Sequence, residues 1–169
     1  MIEIIDNFLN FDVFKEMQEI VFSNYFPWHW SKILSDADYK KSASMDSKYN
    51  YQLFHILYAN HRICSDFYES FIPVLEALGI RSLIRMKFNL NPITSNIIKH
   101  GFHCDYVYDG SKTAVLYFNT NDGYTEFEKE KKIVESLENR IVIFDSKLRH
   151  TGTTCTNDSK RIVLNLNYF

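Results

Sequence analysis

The stretch LIRMKFNLN, residues 83–91, alternates without a break: Ile84, Met86, Phe88 and Leu90 fall on one side, and Arg85, Lys87, Asn89 and Asn91 on the other. Successive side chains of a β-strand point to opposite faces, so this segment reads as a strand with one face in a core. Its polar face either meets solvent or lines a wet cavity, and the alternation alone does not choose between them. Residues 161–168 repeat the pattern, with Ile162, Leu164, Leu166 and Tyr168 opposite Arg161, Val163, Asn165 and Asn167.

Outward from these two runs the same period continues in TAVLYFNT (113–120), YTEFEK (124–129), KKIVESL (131–137) and RIVIFDS (140–146), each bounded by turn residues. The charged run EFEKEKKIVESLENR (126–140) fits a solvated hairpin edge, charged against edge-to-edge pairing. Ahead of residue 80 the period is helical. Asp12 is a candidate N-cap for a helix with Val13, Met17, Ile20 and Val21 on one face. A second helix is expected within residues 62–79, with Phe67, Phe71, Leu75 and Leu78 aligned, Pro73 as a kink and Gly79 as a stop. Residues 26–53 between them read as an exposed polar loop flanked by short extended pieces, where Trp28 and Trp30 either cover the core or line a substrate mouth.

Short strands after two helices imply a β-sandwich or jelly roll with helical buttresses, and the fold class expected, with the family resemblance drawn below, is α+β, mainly β: a double-stranded β-helix (jelly roll, cupin-like) with N-terminal helices packed against one sheet. At 169 residues the chain fits one domain, with helical support and loop over residues 1–79 and the jelly-roll core over residues 80–169. A 46% apolar and 16% aromatic composition argues against disorder. The net charge of −2 gives no support to a nucleic-acid or polybasic membrane surface. Neither a secretion signal nor an apolar run of spanning length is apparent. Three cysteines, Cys64, Cys104 and Cys155, with no CxxC pair, argue against a disulfide framework or a zinc knuckle and for a reducing cytoplasm.

The chemistry-bearing segment is HGFHCDYVYDG, residues 100–110. On a strand, His103 and Asp105 project to one side with their bases roughly 6–7 Å apart, a span one metal ion bridges, while Cys104 points away. Downstream lie His150 and Arg161. Two imidazoles and a carboxylate form the facial triad of non-haem iron(II) enzymes, which leaves coordination positions open. His100, three residues from His103, would face away on a regular strand, and His29, His55 and His61 read as structural.

In this order and spacing the chain resembles the Fe(II)- and 2-oxoglutarate-dependent dioxygenases, specifically their compact prolyl-4-hydroxylase-like branch. The resemblance runs from about residue 80 onward and rests on His103, Asp105, His150 and Arg161, with AVLYFNTNDGYTEF (114–127) and NRIVIFDSKLRHTG (139–152) as the strands between them. It departs in having one glycine, Gly123, in a turn that usually carries two, and Asn139 where a glycine is common; Asn tolerates the left-handed backbone such a turn needs.

The resemblance implies a hydroxylase. His103, Asp105 and His150 would hold Fe(II), Arg161 would fork onto the far carboxylate of 2-oxoglutarate, and Tyr117 would support that carboxylate. Asn89 is a further cofactor-side candidate, and Tyr106, Tyr108 and Arg85 are candidate substrate neighbours. With O2 as co-reactant, a substrate C–H bond would be hydroxylated with release of succinate and CO2, a peptide or protein side chain being slightly favoured. Two other functions stay open: a cupin-like metal enzyme without a keto acid, in which Arg161 has no required role, and a non-enzymatic jelly-roll binding or structural module.

Overall fold

Asn10 starts the first helix. In this computed structural model, which describes residues 1–35 and 46–169, its side-chain oxygen accepts hydrogen bonds from the backbone N–H groups of Asp12 (2.9 Å) and Val13 (3.5 Å), and α1 runs Phe11–Phe22. The cap is therefore Asn10 rather than Asp12. Asp12 becomes a first-turn acid, where the helix dipole favours it. Phe14, Met17 and Val21 are buried, with Val13 and Ile20 packed beside them.

The second helix is shorter than its periodicity suggests. A 3-10 turn, Tyr68–Phe71, leads into α2, Ile72–Ala77. Pro73 lies in the first turn, where its missing N–H leaves no helical bond unmade, so it opens the helix instead of kinking it. Gly79, at φ +60°, ends the segment. The central part of the expected polar loop, residues 36–45, lies outside the described residues.

The described residues form eleven strands, in chain order β1 (Ile2–Ile5), β2 (His29–Ser31), β3 (Gln52–Ala59), β4 (Arg62–Ile63), β5 (Leu83–Pro92), β6 (Lys112–Tyr117), β7 (Tyr124–Phe127), β8 (Ile133–Glu135), β9 (Ile141–Asp145), β10 (His150–Gly152) and β11 (Lys160–Tyr168). Eight form one antiparallel sheet ordered β1-β9-β6-β11-β5-β3-β2, with β4 attached to β3, and three form a second sheet ordered β10-β7-β8. This is the jelly roll expected, with the helices on one face of the large sheet. The residues before 80 contribute four of its strands, which the helical period there did not announce.

The large sheet has two different faces, as the period of two in β5 and β11 requires. Met86, Phe88, Leu90, Ile162, Leu164 and Leu166 pack with Phe14, Met17, Phe71 and Val74 in the helix-side core. The opposite face meets the small sheet: Val115, Tyr117, Val142, Phe144 and Val163 pack against Phe127 and Val134. Both clusters leave the polar half of β5 and β11 between the sheets. Trp28 packs on the helix-side core and Trp30 is exposed. The charged run folds as the β7–β8 hairpin, and β8 is the edge of its sheet with Ile133 and Glu135 exposed.

Asn139, in the turn before β9, fastens that turn to the segment between β1 and α1. Its backbone sits at φ +58°, the left-handed conformation expected of it. Its side chain accepts from Leu9 N (3.0 Å) and donates to Leu9 O (2.8 Å), and its own N–H reaches Tyr117 O (3.0 Å). Replacing it tests both roles. Asn139→Gly keeps the backbone conformation but loses two side-chain bonds, at about 1 kcal/mol each. Asn139→Ala adds left-handed strain of about 1–2 kcal/mol to that loss. Urea unfolding followed by circular dichroism is expected to rank the variants wild type, then Gly, then Ala.

Candidate active site

A pair of backbone hydrogen bonds brings the distant ends of the site together. His103 N donates to His150 O (3.0 Å) and His150 N donates to His103 O (2.9 Å), an isolated antiparallel bridge beside β10. A second bridge, Lys99 to Thr153, makes residues 99–103 an irregular fourth member of the small sheet. The two imidazoles end with ring centroids 4.8 Å apart.

Their orientation is set by the backbone. His103 Nδ1 lies 3.1 Å from Gly101 O and His150 Nδ1 lies 3.0 Å from Leu148 O. A carbonyl only accepts, so each ring carries its proton on Nδ1 and turns the lone pair of Nε2 inward. Both Nε2 atoms face Asp105, 3.9 Å from Oδ1 for His103 and 3.9 Å from Oδ2 for His150. One donor atom from each of the three residues falls within 4.8 Å of the others. His150 is buried against the Phe144 ring (4.7 Å), and burial holds its pKa below the usual imidazole range. His103 is the more open of the two.

Asp105 is enclosed yet stays ionised. Burial pushes its carboxyl up, but His150, Arg85 and His103 and a hydrogen bond from Asn165 outweigh that and hold it well below the usual carboxylate range. Asn165 Nδ2 (3.0 Å) and Asn167 Nδ2 (3.1 Å) both donate to Oδ2, and Arg85 Nη2 lies 3.3 Å from Oδ1. Asn167 also donates to Thr113 Oγ1, which donates to Ser146 Oγ. Arg85, Asn165 and Asn167 on the polar faces of β5 and β11 are thus committed to this carboxylate, while Lys87, Asn89, Asn91 and Arg161 on the same faces do not bond it. Arg85, expected near substrate, lines the same cavity and also grips Asp105, with Tyr106 under its guanidinium at 5.3 Å.

These groups line one cavity of about 210 Å³, shared by Lys87, Asn89, Asn91, His100, Thr125 and Arg161. Arg161 is buried. Its Nε donates to Ser136 Oγ (2.7 Å), Nη2 to Thr125 Oγ1 (3.1 Å) and Nη1 to Thr153 O (3.5 Å), and none of these partners is an anion. Burial accordingly lowers its pKa, with Tyr117 opposing. Tyr117 reaches the site through Thr125, donating to the same Oγ1 at 2.9 Å, while its ring lies under the Arg161 guanidinium at 5.4 Å. Asn89 lines the cavity, and its buried Oδ1 has no hydrogen-bond partner among the described residues.

Several neighbours differ from their sequence reading. His100 faces the cavity instead of turning away, because residues 100–102 between the two isolated bridges are not regular strand. Burial pushes its pKa down to about 3, with Arg161 and His103 adding to the effect. Cys104 touches the cavity but donates its thiol to Lys147 O (3.0 Å), and Cys155 donates to Asp158 O (3.3 Å). Tyr106 and Tyr108 stack on each other (5.6 Å) without lining the cavity. His55 bonds Ser65 Oγ, as a structural histidine. Asn165, Asn167, Thr125 and Ser136 were not singled out as site residues; for the asparagines, their place on the inward face of β11 was the available signal.

Gly123 explains why its turn tolerates no side chain. A Cβ there would lie 2.6 Å from Arg161 Cδ, 2.7 Å from Thr154 O and 2.8 Å from Asn121 Oδ1. Gly123→Ala is expected to displace Arg161 and to destabilise the protein by about 1–3 kcal/mol, the usual cost of overpacking. Thermal unfolding and a crystal structure of the variant check both effects.

No family model matches the chain, and no curated protein does. Solved structures do. A 2OG-Fe(II) oxygenase family oxidoreductase from Burkholderia pseudomallei aligns with TM-score 0.72 and 11% identity, over 99% of this chain and 84% of that one. A prolyl hydroxylase from Trichoplax adhaerens, in complex with a hypoxia inducible factor oxygen degradation domain peptide fragment, aligns with TM-score 0.67 and 16% identity over 99% and 83%. The viral collagen prolyl hydroxylase of Paramecium Bursaria Chlorella virus-1, in its 2OG complex, aligns with TM-score 0.59 and 12% identity over 98% and 94%. The chain has the fold of these oxygenases.

Proposed function

We propose that this chain is an iron(II)- and 2-oxoglutarate-dependent oxygenase, with His103, Asp105 and His150 as metal ligands and Arg161 as the anchor of the keto acid. The observation that carries this reading is the convergence of three inward donor atoms in a cavity that also holds a buried arginine with no anionic partner. Two neutral imidazoles and one carboxylate suit Fe(II), and they leave coordination positions for further ligands.

The protein groups divide the work. Asn165 and Asn167 fix the carboxylate of Asp105 so that it need not reorganise to bind a cation, and the carbonyls of Gly101 and Leu148 hold both histidines in the ligating tautomer. Arg161 offers a fork that a carboxylate accepts with two charge-assisted bonds. Thr125, which accepts from both Tyr117 and Arg161, keeps its own hydroxyl proton for a ligand oxygen. Tyr117 supports that carboxylate through Thr125, and Asn89 presents an acceptor toward the same cavity.

When bound, the metal and 2-oxoglutarate supply the oxidising power: O2 is consumed, the keto acid becomes succinate and CO2, and one oxygen atom enters a substrate C–H bond. Prolyl hydroxylases among the similar structures, one holding a peptide, make a peptide or protein side chain the first substrate to test. Arg161 favours this function over a cupin-like metal enzyme without a keto acid, which leaves its buried charge unexplained. The described residues include no helix long and apolar enough to cross a membrane.

Protein loaded anaerobically with Fe(II) is expected to release succinate from 2-oxoglutarate once O2 is admitted, and chelation of the metal is expected to stop it. His103→Ala should abolish release; turnover that survives this change rules out the proposed iron site. Arg161→Lys should raise the KM for 2-oxoglutarate about 10- to 100-fold, the worth of one charged hydrogen bond and its geometry.

A further inference from the structure

The inward face of β5 presents Arg85, Lys87, Asn89 and Asn91 in order along the cavity, opposite Asn167, Asn165, Val163 and Arg161 of β11. The two ends are committed: Arg85 to Asp105 and Asn165, and Asn91 to Thr153 O at 3.4 Å. Lys87 stands between them without such a commitment. Its ammonium lies 6.0 Å from the Phe54 ring centroid, and among the described residues no carboxylate and no hydrogen-bond acceptor is within bonding distance of it.

Such a lysine is costly. Burial, with Arg85 adding to it, pushes its pKa down to about 8, so at neutral pH it still carries its charge. The described cavity lining sets three cations, Arg85, Lys87 and Arg161, against a single carboxylate, Asp105. A divalent metal and dianionic 2-oxoglutarate bring equal and opposite charge, so they leave that excess in place. Lys87 is also four residues along β5 from Asn91, the position opposite Arg161, roughly 13 Å at the rise of a strand. The far carboxylate of a keto acid held at Arg161 therefore has a different partner.

We propose that the substrate carries a compact anionic group, a carboxylate or a phosphate, and that Lys87 receives it. This rests on the oxygenase reading above and narrows it: a wholly neutral aliphatic side chain leaves the lysine uncompensated, whereas an acidic residue or a small acid neutralises it. Asn89 Oδ1, the neighbouring buried acceptor without a partner, suits an N–H or O–H beside that anion.

The test uses wild type, Lys87→Met and Lys87→Arg, titrated calorimetrically with inorganic phosphate and, separately, with acetate. Each titration is run on metal-free protein and on protein saturated with Mn(II) and 2-oxoglutarate. At least one anion is expected to bind the wild type saturably in both states; which of them binds separates phosphate from carboxylate. Lys87→Met should weaken that binding at least tenfold and Lys87→Arg should retain it, while the Kd for 2-oxoglutarate in the presence of Mn(II) stays within about twofold. Thermal unfolding of Lys87→Met is expected at or above the wild-type temperature, since the change removes a half-buried charge that has no ion-pair partner among the described residues while keeping the stem. The proposal is overturned if neither anion binds the wild type, if Lys87→Met binds as well as wild type, or if that variant loses 2-oxoglutarate affinity in step. Failure of the oxygenase reading shows separately, as no Mn(II)-dependent binding of 2-oxoglutarate by wild type, and the metal-free titrations then decide Lys87 by themselves.

Discussion

The two reciprocal backbone hydrogen bonds between His103 and His150 are the constraint on which the site depends. They join residues 47 positions apart through main-chain atoms, so the spacing of the rings does not rely on side-chain contacts. With each Nδ1 tied to a carbonyl two residues earlier, both rings are fixed in rotation and tautomer as well as in place. Only Asp105 is then positioned by side chains, and it is held by three of them, from the two central strands of the large sheet.

That division gives each sheet a separate task. The small sheet and its irregular neighbour supply the histidines, while the polar face of β5 and β11 supplies the groups that orient the aspartate, and also the buried Arg161. The apolar faces of the same strands carry the helix-side core, so ligand-facing and stability-bearing residues alternate one by one along each strand. A shift of one residue in register would exchange the two sets, and α1 and α2, packed on the apolar face, bind that register in place.

Alternation made much of this legible. Residues 83–91 and 161–168 declared their faces through a strict period of two, and the order of His103, Asp105, His150 and Arg161 announced a site before any geometry was known. Other features left no such trace. β10 is three residues long and β1 four, too short for a period to register, and β3 shifts register against β5 between Ile56 and Tyr58, so QLFHILYA shows no clean alternation. The role of Arg85 was hidden because one arginine on a polar face reads alike whether it meets substrate or a buried carboxylate. His100 was misplaced because its segment departs from strand geometry, and the helix began at Asn10 because two good capping residues stood close together.

The position of β11 carries a consequence for how the molecule assembles. It is the last of the eleven strands in chain order, yet it lies between β6 and β5, which have no pairing with each other. Until it is inserted, the large sheet exists as two halves with open inner edges, and Arg161, Asn165 and Asn167 are missing from the cavity. Synthesis from the N-terminus thus leaves this sheet open and Asp105 unoriented until β11 emerges. The same insertion joins the two halves of the sheet and lines the cavity, so a chain made only as far as β10 presents sticky strand edges but no ordered cluster of His103, Asp105 and His150.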